Sequence, residues 1–205
     1  MPATPEASQS LLEQIGPIRN THYGTSPPQL LQSARAAADK ASGGFYDFTS
    51  DLSSKDTAYT SESLEPHTDT TYFTDPIVSP ISSASTLRHE HPKLKRRQQP
   101  QGLQALHLLS HTDGEGGLSS LVDGFSAARD LFEEDANAYA TLSKIRVFAH
   151  ASGNEGVNIQ PAKGFPVLGH TRTGGTLQQV RWNTADRAWV GASFKRMEEW
   201  YDAAA

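Results

Sequence analysis

The chain has 205 residues, with 18 Lys and Arg against 23 Asp and Glu for a net charge of −5, eight His and no Cys. That length fits one domain with tails, while a hydrophobic content of 36% and a mean hydropathy of −0.53 predict that part of it does not pack. Lack of Cys excludes a disulfide scaffold, a zinc ribbon and a thiolate nucleophile; no run approaches the roughly 20 apolar residues of a membrane span; and the acidic balance argues against nucleic acid as the main partner.

In chain order, residues 1–9 read as a disordered tail. The opening MPATPEASQSLLEQIG has neither the basic-then-apolar order of a signal peptide nor the Arg-rich, acid-poor character of a transit peptide. Residues 25–43 and 77–101 are rich in Ser, Pro, Ala and Gln and contain no aromatic residue. Neither can bury enough apolar area to offset its ordering entropy, so both are expected as loops or disorder. LLQSARAAADKA in the first could form a short surface helix. The two stretches carry +5 between them, which leaves −10 for the other 161 residues. KLKRR in the second could bind phosphate or act as a nuclear address, but reads more simply as a solvated charge run.

Residues 103–110, LQALHLLS, read as a buried strand, HTDGEGG as a turn, and 118–124, LSSLVDG, as a second strand. Residues 125–145 place Phe125, Ala128, Leu131 and Phe132 at the spacing of an amphipathic helix. Residues 145–149 and 177–182 alternate like strands. Thr173-Gly174-Gly175-Thr176 is a hairpin-type turn. MEEWYDAA at 197–204 starts a helix within which the chain stops, which suggests that something is missing downstream.

The pattern His67-Thr68-Asp69 carries the first chemistry. On a strand, residues two apart point to one face, so an imidazole and a carboxylate can occupy neighbouring positions on one metal. A distant His would complete the two-His-one-carboxylate triad that leaves open positions on Fe(II). Chance alone supplies roughly 0.5 such patterns in a chain of this composition, and His111-Thr112-Asp113 repeats it. Context separates them: His67 precedes the strand-like run TYFTD, whereas His111 leads into the turn-like GEGG. Tyr23, Tyr46 and Tyr59 could hold a quaternary ammonium through cation–π attraction, although each alone reads more simply as an ordinary strand or core tyrosine. Ser119 and Ser120 lack a His partner and a nucleophile elbow. GEGG is too short for a phosphate-binding fingerprint. His89-Glu90-His91 falls in the basic stretch, and His107 and His150 read as satisfied core or rim histidines.

Beyond these residue-level readings, IRNTHYG, GFYDFTSDLSSKDTAYTSE, PHTDTTYFTDP, HLLSHTDGEGG, SLVDGFSAA and VRWNTADRA together resemble the trimethyllysine dioxygenase family. These are Fe(II)- and 2-oxoglutarate-dependent enzymes related to gamma-butyrobetaine dioxygenase. The resemblance covers residues 10–24, 44–76 and 102–204. It implies a mainly β fold with helices, a double-stranded β-helix (jelly roll) that is incomplete here. The domain would run over 10–204, interrupted by non-family insertions at 25–43 and 77–101, whose removal restores the family spacing.

By the same resemblance, His67 and Asp69 match the first two iron ligands. Tyr23, Tyr46 and Tyr59 match an aromatic cage for a trimethylammonium group, with Tyr46 standing where relatives often have Trp. Asp56 and Asn183 match positions that hold the amino-acid end of the substrate, and a carboxylate at 56 suits an α-ammonium group that gamma-butyrobetaine lacks. Ser119 falls near a hydroxyl that relatives place close to 2-oxoglutarate. The implied cofactors are Fe(2+), 2-oxoglutarate as co-substrate and L-ascorbate. The implied reaction hydroxylates Nε-trimethyllysine at C3 with O2, the first step of carnitine biosynthesis. The chain stops before the family's distal His and the Arg that pairs with 2-oxoglutarate, so a fragment with little or no activity is expected. The rival readings are a dioxygenase for gamma-butyrobetaine or another small molecule, and a non-catalytic binding fragment. An intracellular location is expected, mitochondrial or cytoplasmic, and a homodimer is left open.

Overall fold

The computed structural model describes residues 4–16, 18, 60, 62–74, 104–110, 114, 117–151, 158–171 and 175–205. The expected insertions 25–43 and 77–101 lie outside them. The chain divides into two compact units, Met1–Glu62 with Ala105–Leu118, and Ser63–Gln104 with Ser119–Ala205. No helix among the described residues is long and apolar enough to cross a membrane.

In the first unit, helix α1 spans Pro5–Ile15, so residues 5–9 are helical rather than part of a disordered tail. Thr4 caps it, its hydroxyl accepting from the Ala7 N–H at 3.3 Å. Pro5 and Glu6 complete a favourable first turn, with a preset φ and a negative charge at the positive end of the helix dipole. Ser8 is the buried residue of this helix, and its hydroxyl is hydrogen-bonded to His107 Nδ1. That contact satisfies His107 as expected. The strand expected at 103–110 is not formed: 104–110 has no regular structure, and Leu106 and Leu108 are 85% and 70% exposed. An apolar run becomes a strand only against a ladder partner, and none pairs with it among the described residues.

The second unit holds helices α2 (Gly124–Glu134), α3 (Ala136–Lys144) and α4 (Phe194–Ala204), and strands β1 (Arg146–Ala149), β2 (Phe165–Pro166), β3 (Leu168–His170), β4 (Leu177–Val180) and β5 (Arg187–Val190). Two antiparallel sheets form, one ordered β2-β1-β5 and one a β3-β4 hairpin. Antiparallel sheet with helices is thus observed, as expected. The strand expected at 118–124 is absent. Leu118, Leu121 and Val122 are exposed, and Asp123 instead caps α2, its carboxylate accepting from the N–H groups of Phe125 and Ser126.

The single helix expected over 125–145 is broken at Asp135. Its backbone is extended (φ −144°, ψ 91°). Its N–H closes α2 on the Leu131 carbonyl at 2.8 Å, while its carboxylate accepts from Asn137 and Ala138 to open α3. β1 and the hairpin arise where alternation placed them. Thr171 N–H meets the Thr176 carbonyl at 3.0 Å, and Gly175 takes the left-handed backbone (φ +100°) that a tight turn requires. α4 begins at Phe194, earlier than the expected Met197.

The core gathers Ala128, Leu142, Ile145, Val167, Leu168, Val190 and Trp200 from the helices and both sheets. A smaller cluster of Tyr72, Ala149 and Ala151 packs with Phe73 and Ile159. Tyr72 and Phe73 belong to TYFTD, whose described residues 71–74 form turns and bends rather than the expected strand-like run. Thr70, just before that run, adopts a positive φ of 56°, which an extended strand does not allow.

Candidate metal centre

The segment Glu65–Thr74 has no regular structure of its own, so long-range bonds must hold it. Thr68 supplies the first anchor. Its N–H donates to the Trp182 carbonyl at 2.6 Å, its hydroxyl accepts from the Trp182 N–H at 2.8 Å, and the same hydroxyl faces the Trp182 carbonyl at 3.2 Å. Arg181 supplies the second. One guanidinium nitrogen donates to the carbonyls of Thr71 and Phe73, both at 2.8 Å, and another to that of Thr74 at 2.7 Å. The guanidinium is buried and lies 4.0 Å from the centre of the Phe165 ring. A planar fork with five donors suits such a cluster of carbonyls. A third tie runs from the Thr71 hydroxyl to the buried Asp186 carboxylate at 3.4 Å.

Held this way, His67 and Asp69 converge across Thr68, with His67 Nε2 3.3 Å from Asp69 Oδ1. Their remaining polar atoms are engaged elsewhere. His67 Nδ1 lies 2.7 Å from the Glu65 carbonyl, and a carbonyl can only accept, so Nδ1 carries the proton. In the neutral ring Nε2 therefore presents a lone pair. Asp69 Oδ2 accepts from the Gln104 side-chain amide at 2.7 Å. Two acceptors then face each other at 3.3 Å, an arrangement that a shared cation or a second ring proton relieves.

The donor set fits a metal. Neighbouring ligands of an octahedral ion at about 2.1 Å stand about 3 Å apart, close to the separation observed. A ligating His that donates its other nitrogen to a carbonyl is the usual metal arrangement. The pair supplies two donor atoms, and among the described residues no group of three His, Cys, Asp or Glu that could hold a metal ion forms.

A cavity of about 270 Å³ opens beside His67, walled by Pro66, Ala127, Leu131, Leu168, Val180 and Trp182. Its lining is apolar apart from His67 and Thr68. Asn183 follows the Trp182 anchor. Its side-chain oxygen accepts from the N–H groups of Ala185 and Asp186, and its amide donates to the Asp186 carboxylate at 3.0 Å. It thereby shapes the turn into β5 and lines a second, smaller cavity with Arg181, Arg187 and Trp200. Ser119 is exposed ahead of α2, and no hydrogen bond joins it to His67, Asp69 or Asn183 among the described residues. Tyr23, Tyr46, Asp56 and Tyr59 lie outside the described residues, as does His111-Thr112-Asp113.

Sequence reasoning passed over Thr68, Gln104, Arg181 and Asp186. A lone charge inside the alternating run LQQVRW, and a lone amide among the leucines of LQALHLL, were the available signals.

Residues 79–204 match the Taurine catabolism dioxygenase TauD, TfdA family. The trimethyllysine dioxygenase of Neurospora crassa is 42% identical over 233 aligned residues, covering 98% of this chain and 40% of that protein. That of Meyerozyma guilliermondii is 35% identical, covering 98% and 41%. The Mus musculus protein named trimethyllysine dioxygenase, mitochondrial, is 31% identical, covering 99% and 38%. The chain spans about two fifths of the length of these relatives.

Proposed function

The chain belongs to the TauD, TfdA dioxygenase family, and from that membership we propose that His67 and Asp69 are its contribution to the Fe(II) centre of a 2-oxoglutarate-dependent dioxygenase acting on Nε-trimethyllysine. The observation that carries this is the pair itself: two donor atoms 3.3 Å apart with their far atoms already bonded. When bound, Fe(II) supplies oxygen activation coupled to decarboxylation of 2-oxoglutarate, the chemistry by which C3 of the substrate is hydroxylated. L-Ascorbate would keep it reduced.

This chain's own residues orient and enclose. His67 and Asp69 would hold two positions of the metal, leaving the rest for a further protein ligand, the co-substrate and O2. Thr68 and Arg181 fix the loop so that the two donors are preorganised before any cation arrives. The apolar cavity beside His67 gives one flank of the pair a mostly apolar wall. Trimethyllysine as substrate is supported by the names of the relatives and by the carboxylate of Asp56, which suits an α-ammonium group. We assign Tyr23, Tyr46 and Tyr59 to a cage for the trimethylammonium group, Asn183 to the amino-acid end beside Asp56, and Ser119 to the 2-oxoglutarate side. We further read the two sheets as part of a double-stranded β-helix, 25–43 and 77–101 as insertions into it, and the location as mitochondrial or cytoplasmic.

Calorimetric titration tests the reading. The 205-residue chain should take up Fe(II) or Co(II) anaerobically, and His67→Ala and Asp69→Ala should each abolish uptake. In the metal-loaded chain, trimethyllysine should bind more tightly than gamma-butyrobetaine. Metal uptake that survives both substitutions overturns the centre, and an equal or reversed preference overturns the substrate.

A further inference from the structure

The carboxylate of Asp69 raises a problem that its iron-ligand assignment leaves open. A carboxylate has two equivalent oxygens, and rotation about its last bond can present either one, or both, to a cation. Ligation through both would occupy a position that the co-substrate or O2 needs. In this structure the choice is already made. Oδ2 accepts from the Gln104 side-chain amide at 2.7 Å, and Oδ1 is the atom left facing His67 Nε2. The bond mirrors the one on the other donor, where the Glu65 carbonyl fixes His67 Nδ1.

We propose that Gln104 is a positioning residue of the metal pair, holding Asp69 to one-oxygen ligation by occupying its second oxygen. The inference rests on the reading of His67 and Asp69 as metal ligands and deepens it. The chemistry of the residue fits the task. A neutral amide donates without adding charge, so Asp69 keeps its full negative charge for the cation, where a lysine would compete for it and a glutamate would repel it. Bonds of this kind to ligating groups tune metal affinity by about 10–100-fold. Gln104 is itself exposed, so replacing it removes the bond without opening the core.

The test uses the 205-residue chain and two variants that keep the bulk but lose the donor, Gln104→Leu and Gln104→Met. Each is titrated with Co(II) while visible ligand-field bands, heat and the thermal midpoint are recorded. We expect both variants to bind Co(II) about 10–100-fold more weakly than the parent. Their bands should be altered, because the carboxylate is free to use both oxygens, and the thermal midpoint should be unchanged. A purely structural role would move the midpoint and leave the bands alone. Parent-like affinity and bands in both variants overturn this inference while the metal reading stands. Failure of the parent chain to bind Co(II) at all overturns the metal reading, and this inference with it.

Discussion

Between His67 and Asp69, the proposed metal donors, stands a threonine with no ligand chemistry of its own, and their placement depends on it. Thr68 meets both backbone groups of Trp182 through its own N–H and hydroxyl. Thr68→Val keeps the shape and deletes the hydroxyl, leaving the Trp182 N–H without that partner. A partly buried unsatisfied donor costs about 1–3 kcal/mol, so the variant should unfold at lower urea with an unchanged slope, and Thr68→Ser, which keeps the hydroxyl, should avoid most of that loss. Arg181 carries more, because three loop carbonyls converge on it. Arg181→Met should destabilise by about 3–5 kcal/mol, read from the same urea transitions. At this scale the sequence was legible in part. His67 and Asp69 were readable as a pair because their residue types and spacing suit a metal. The strand geometry invoked for them does not occur; residues 67–68 have no regular structure, the Thr68–Trp182 bonds hold the segment, and the chain turns after the pair, at Thr70. Gln104 and Arg181 were not readable, because their value depends on contacts 35 to 110 residues away along the chain.

Among the elements, Asp135 shows how one side chain decides whether there is one helix or two. Apolar spacing over 125–145 is continuous enough for a single helix, and periodicity does not register a residue whose carboxylate competes for backbone N–H groups. Asp135→Ala removes the cap of α3, and we expect a loss of about 0.5–2 kcal/mol, measurable as a lowered thermal midpoint by far-UV circular dichroism. Strand expectations succeeded where a partner lies close in sequence, as in the β3-β4 hairpin around Gly175. They failed at 104–110 and 118–124, where apolar letters are present but no ladder partner exists among the described residues. Hydrophobic composition marks what could be buried; pairing decides what is.

For the second unit as a whole, Trp200 is the keystone of the packing. It is 1% exposed, lies near Trp182 at 6.4 Å between ring centres, and has the Arg187 guanidinium 5.2 Å above its ring. Trp200→Ala should cost about 3–5 kcal/mol, seen as a shifted denaturation midpoint. Its indole N–H is buried without a hydrogen-bond partner among the described residues, so Trp200→Phe gives up volume but none of the bonds seen there and should cost much less than the alanine change. Because Trp200 touches the residue that anchors Thr68, the alanine variant should also weaken Co(II) uptake, whereas Asp135→Ala should not.

The anchors of the ligand loop are all late in the chain. Thr68 waits for Trp182, Thr71 for Asp186, and the carbonyls of residues 71–74 for Arg181, each more than a hundred positions downstream. A ribosome that has released only the first half of this chain has therefore exposed a histidine and an aspartate without the long-range anchors of their loop. On the proposed metal reading, capture of a cation follows the synthesis of the distal half, which carries the anchors of the loop.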